Sequence, residues 1–152
     1  MSEPTRRADF PSLCLSALLA CVAGCTGSTR PAVHPVTGHV FFHKTTPAAG
    51  AFVVFQPATD AQKQAMAARP FATVEADGSF SLTTYETNDG APEGDYGVTI
   101  VWTPPVKTKG PRITDGDATA PDKLGGRYGN PQKPALTATV KKGENTFRFD
   151  VE

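Results

Sequence analysis

Cysteine is scarce in this 152-residue chain, with three in all, and methionine and tryptophan are scarcer still, at two and one. Cys14 and Cys21 fall in an apolar amino-terminal stretch expected to be removed, which leaves Cys25 without a partner and excludes an intrachain disulfide. Excess charge of either sign is also lacking: 15 Lys and Arg balance 15 Asp and Glu. Nucleic-acid binding therefore has no electrostatic basis, since no surplus of cations exists to displace counterions. Long amphipathic helical patterns and internal repeats are missing. The turn formers are abundant: 14 Gly and 14 Pro punctuate short β-branched and aromatic runs. Together these features predict one all-β domain with many turns, stabilised by packing alone.

Residues 1–24 read as an export signal, with Arg6 and Arg7 in a positive leading region and an apolar run from Leu13 to Ala23. That run is too short to cross a bilayer of about 30 Å as a helix. Val22-Ala23-Gly24-Cys25 resembles the lipobox of bacterial lipoproteins: an aliphatic residue, two small residues, then the modified cysteine. The resemblance implies cleavage before Cys25 and attachment of a diacylglycerol to its thiol, anchoring the chain to the lipid bilayer. Leu18-Leu19-Ala20-Cys21 is a rival site, with bulky Leu19 where a small residue is preferred. Thr26 follows Cys25, and the lack of an Asp there favours the outer over the inner membrane by analogy with bacterial sorting. Residues 25–35, polar and Pro-bearing, are expected to form a tether, and residues 36–152 the domain.

The domain is organised around Phe71 to Leu82, two alternating runs hinged on Asp77-Gly78. A two-residue loop would pair Glu75 with Phe80 and Thr73 with Leu82. A three-residue loop, Ala76-Asp77-Gly78, pairs Val74 with Phe80 and Ala72 with Leu82. Opposed residues share a face, so only the second register gathers the apolar residues on one side. It requires Gly78 at positive φ, which glycine adopts without a Cβ clash.

Around this hairpin, Val36 to His43 alternates with Val36, Gly38, Val40 and Phe42 on one face. Ala51 to Pro57 places Ala51, Val53 and Phe55 on one face, while Phe52 and Val54 make the other apolar too, predicting cover on both sides. Thr59 or Asp60 caps an expected short helix ended before Pro70. It reads as a surface connection or a mobile flap. Gly94 to Thr103 is the longest alternating strand, with Tyr96, Val98, Ile100 and Trp102 sharing a face. Six prolines between Pro104 and Pro134 mark a long loop whose second half is tacked down by Leu124 and Tyr128. Ala135 to Val140 and Thr146 to Val151 are the closing strands.

Four segments in order carry a further resemblance: Val36-x-Gly38-x-Val40; Pro47-x-x-Gly50-Ala51-x-Val53-x-Phe55-x-Pro57; Glu75-Ala76-Asp77-Gly78-x-Phe80-x-Leu82; and Pro92-x-Gly94-x-Tyr96-x-Val98-x-Ile100. They resemble the carboxypeptidase regulatory-like domain, a transthyretin-like (prealbumin-like) fold. The tail from Asp122-Lys123-Leu124 to Val140 resembles small bacterial lipoproteins built on it. The helical insert after Pro57 and Pro134 in place of Ser depart from that pattern. The resemblance implies a Greek-key β-sandwich of about seven strands, non-catalytic, lending structural or interaction surface.

No residue constellation points to chemistry or to a cofactor. His39 and His43 share a strand face but lie about 13 Å apart along it, too far to ligate one metal. Gly125-Gly126 lacks the context of a phosphate loop, and no nucleophile elbow is present. Asp115 and Asp117 read as a solvated loop face. Two functions are therefore expected: a non-enzymatic, lipid-anchored cell-envelope domain contacting another envelope protein, or a carbohydrate-binding module. The second would use Tyr85, Trp102 and Tyr128 as stacking platforms, although the apolar face carrying Trp102 reads more readily as core.

Overall fold

The computed structural model describes residues 30–66, 68–104 and 120–152. The expected signal, Cys25 and residues 105–119 of the Pro-rich loop lie outside them. The elements are β1 (Val33–His34), β2 (Val36–Phe42), β3 (Thr46–Pro47), β4 (Phe52–Pro57), α1 (Asp60–Ala65), β5 (Phe71–Thr73), β6 (Ser79–Ser81), β7 (Ala91–Pro92), β8 (Gly94–Val101), β9 (Leu136–Val140) and β10 (Asn145–Val151). Strands dominate and α1 is the one helix among the described residues, so the fold is all-β. Thr59 caps α1, its hydroxyl accepting the Gln62 N–H at 3.2 Å.

Two four-stranded sheets carry the core. One has the order β5-β4-β8-β9, antiparallel throughout. The other is centred on β2, with β10 on one side and β3 and β6 sharing the other. A small β1-β7 ribbon closes one end. The two-residue period decides which side chains meet between the sheets. From β2, β4, β8 and β10 these include Val36, Val40, Val53, Phe55, Tyr96, Val98, Ile100, Phe149 and Val151, all buried. Phe55 is the hub, with ring centroids 5.6 Å from Tyr96, 5.8 Å from Phe147 and 6.2 Å from Phe149. Each such buried side chain contributes about 1.5–3 kcal/mol of transfer free energy.

β9 and β10 pair with different sheets. β9 runs antiparallel to β8, then the chain crosses over and β10 lies parallel to β2, from Asn145 beside Val36 to Val151 beside Phe42. The Asn145 side chain ties the crossing together: its Oδ1 accepts the Lys141 N–H and its amide donates to the Lys141 and Gly143 carbonyls. Gly38 on β2 has no Cβ because the Phe80 ring and the Phe147 carbonyl occupy that space. Pro134 covers Gly97 of β8 in the same way, and β9 begins at Leu136, one residue later than the alternation predicts.

The outer face of β4 departs from expectation. Phe52 is 44% exposed and Phe71 41%, so this face is not closed over as its apolar pattern predicts. A second departure is the turn after β2. His43 and Lys44 both take positive φ, 49° and 67°, at positions where the sequence offers neither Gly nor Asn.

Candidate functional site

The Phe71–Leu82 segment takes the three-residue register. Gly78 has φ +89°, its N–H donates to the Glu75 carbonyl at 3.0 Å, and the Glu75 N–H donates to the Ser79 carbonyl at 2.7 Å. Asp77 stabilises the turn by accepting the Ser79 N–H at 2.9 Å and the Ser79 hydroxyl at 2.6 Å. Those bonds, the hydroxyl first, hold its carboxyl below the usual range. Ala72, Val74, Phe80 and Leu82 all point into the core.

The two arms nevertheless belong to different sheets. β5 follows β4, whereas β6 follows β2. They meet again at Phe71 and Thr83, which exchange two backbone bonds of 3.0 and 2.8 Å. Between these two closures the opposed pair is Thr73 and Ser81, and no ladder bond joins them. The splayed arms therefore enclose a slot of about 340 Å³. Its floor is apolar, Ala72 and Phe80, and its walls, from the outward faces of both arms, are polar except for Phe71. Glu75 is the one charged residue lining it.

The far wall is a stiffened loop. Asn88 sits at φ 59°, and its N–H donates to the Thr83 hydroxyl at 2.9 Å. Next to it, Asp89 accepts the N–H groups of Thr84, Tyr85 and Glu86 at 2.7, 3.0 and 2.9 Å. Burial pushes the Asp89 carboxyl up, but the three donors outweigh it and hold the group below its ordinary value. The slot is thus closed at its two ends by backbone hydrogen bonds and bordered on the far side by a hydrogen-bonded loop. A cavity of this size is at the small end of the roughly 300–1,000 Å³ typical of small-molecule sites.

The aromatic residues singled out from the sequence lie elsewhere. Trp102 is 6% exposed; its indole N–H donates to the Ala49 carbonyl at 2.8 Å and its ring meets Phe42 edge-on. Tyr128 is half-buried at the same end of the domain, its carbonyl accepting the Ile100 N–H and its hydroxyl the Glu152 N–H. Tyr85 belongs to the opposite end of β8, near Tyr96, with its hydroxyl buried and unpartnered among the described residues. The three do not share one surface. Lys123 covers the Trp102 ring at 4.0 Å. The histidines are occupied separately: His39 stacks against Phe41, His43 meets Phe42 at a tilt, and His34 Nδ1 accepts the Gly143 N–H.

The slot residues were not singled out from the sequence, although their signal was there. Thr73, Glu75, Ser79, Ser81 and Thr83 share a polar face, with Phe71 at its edge, opposite the apolar one. Asp122, named from the sequence only within the tail resemblance, accepts the N–H groups of Trp102, Leu124 and Gly126 and ties the second half of the Pro-rich stretch to the end of β8. Comparison of the chain with protein-family models, with curated proteins and with solved structures finds no match.

Proposed function

We propose that the chain is an exported lipoprotein, anchored through acylated Cys25, that displays a non-catalytic β-domain in the cell envelope as a structural or protein-interaction surface. The observation that carries this reading is the run Val22-Ala23-Gly24-Cys25 behind an apolar stretch with basic residues before it. A short polar segment follows, and strand structure begins at Val33. That spacing suits a tethered domain held close to a membrane. The two packed sheets and the order of the four resembling segments support a transthyretin-like Greek-key sandwich as the finer description of the fold. The absence of Asp after Cys25 favours the outer membrane.

Fatty-acid labelling of cells expressing the chain tests the anchor. The wild type should incorporate label and fractionate with membranes, and Cys25→Ser should do neither. Label retained by Cys25→Ser but lost in Cys21→Ser would move the anchor to the rival site. Label retained in both variants would refute the proposal.

A further inference from the structure

We infer that the slot between β5 and β6 binds a single neutral sugar ring, with Phe71 as its stacking face and Glu75 among its hydrogen-bonding groups. Phe71 and Phe52 are the two exposed large apolar side chains among the described residues, and their rings lie 5.8 Å apart beside the slot. An exposed aromatic face is electron-rich and packs well against the weakly positive C–H face of a sugar. The adjoining walls offer the complementary edge: hydroxyls of Ser81 and Thr83, the Glu75 carboxylate and the Asn88 amide. The broken ladder adds backbone donors and acceptors at Thr73 and Ser81 that no strand pairing uses. Alternating ring hydroxyls, each able to donate and accept, match such a mixed lining.

Other occupants fit less well. A phosphate or carboxylate would meet Glu75 with no cation among the lining residues. A peptide strand needs a continuous free edge, whereas here one residue pair is open and both ends are strapped, by Phe71–Thr83 and by Glu75–Ser79. The same straps favour a terminal or isolated ring over the interior of a chain. This inference gives the displayed domain a glycan to hold and rests on that reading only for its setting. The binding itself is measured on the lipidated chain and on Cys25→Ser alike, so the two ideas fail separately.

The test is calorimetric titration of the full chain, in a sugar-free detergent, with glucose, galactose, mannose, N-acetylglucosamine and linear glucose oligomers. At least one ring should bind, unaffected by added salt, with longer oligomers no tighter than the shortest. Phe71→Ala should weaken binding roughly tenfold or more, the scale on which stacking contacts respond to truncation. Glu75→Gln should weaken it several-fold, while Lys142→Ala, remote from the slot, should leave it unchanged. Absence of saturation by every sugar with the folded chain would overturn the inference. So would binding that survives both slot substitutions, or preferential binding of inorganic phosphate.

Discussion

Replacing Phe80 by alanine removes the ring that floors the slot and plugs the gap between the sheets. Phe80 is 2% exposed and stacks on Phe149 at 6.1 Å with planes 15° apart. Its far edge fills the space above Gly38 where a Cβ would otherwise sit. Neighbouring backbone cannot close over the void, because β2 is held on one side by β10 and on the other by β6. The cost should therefore lie in the range of about 3–5 kcal/mol seen when buried aromatics are truncated without collapse of the cavity. For a domain of this size that is a fall of roughly 10–30 °C in Tm. Urea melts followed by fluorescence would measure it, with Ser81→Ala as the partner variant. Ser81 lies on the opposite face and should change stability by less than about 0.5 kcal/mol. If Phe80→Ala does not fold, Phe80→Leu should still melt earlier than wild type. Equal losses for Phe80→Ala and Ser81→Ala would refute the face assignment and with it the three-residue register.

Further expectations concern the turns and the titrating groups. Gly78→Ala should cost about 1–2 kcal/mol in denaturant melts, because a Cβ at φ +89° is strained and would press on the Val40 carbonyl. Asp122→Ala should cost about 1–3 kcal/mol by orphaning three N–H groups. Burial raises the Asp122 carboxyl, but those donors prevail and hold it below 3.8. Its stabilising contribution is therefore present above pH 3.8 and lost as pH falls below it, and the acid limb of stability should flatten in Asp122→Asn. Burial pushes the Tyr96 hydroxyl, which donates to the Pro92 carbonyl at 2.7 Å, up to about 12. Absorbance titration should show a phenolate transition near that pH that disappears in Tyr96→Phe. The linked stability should be complete below pH 10.0 and lost as pH rises through about 12.

Local pattern made much of this fold legible. Alternation placed Val36, Val40, Val53, Phe55, Val98 and Ile100 inside, and face-matching across the Phe71–Leu82 segment identified Gly78 as the residue needing positive φ. Those inferences need only near neighbours. The destination of each arm was not legible, because Phe71–Thr73 and Ser79–Ser81 alternate in the same way whether they pair with each other or with β4 and β2. The slot follows from that divergence and was hidden with it. The left-handed turn at His43 and Lys44 carries no compositional mark, since the bond from the His43 N–H to the Val151 carbonyl involves a residue far along the chain. Asp89 and Asp122 carry a mark that reads two ways. An Asp near Gly suits both a solvated loop and a side chain closing a turn over several N–H groups.

The parallel pairing of β10 with β2 has a kinetic consequence. Val36 and Asn145 are separated by roughly a hundred residues of chain, so the central strand of its sheet lacks one neighbour until almost the whole domain has been brought together. Closing so long a loop costs entropy before any contact repays it, and topologies dominated by such contacts fold slowly. β4, β5 and β8 can assemble from shorter separations, leaving the edge of β2 that β10 will cover as an exposed template for pairing between molecules. Aggregation during refolding should therefore be governed by how quickly this edge is covered. Removing β10 would make the exposed edge permanent, turning a transient hazard into a property of the chain.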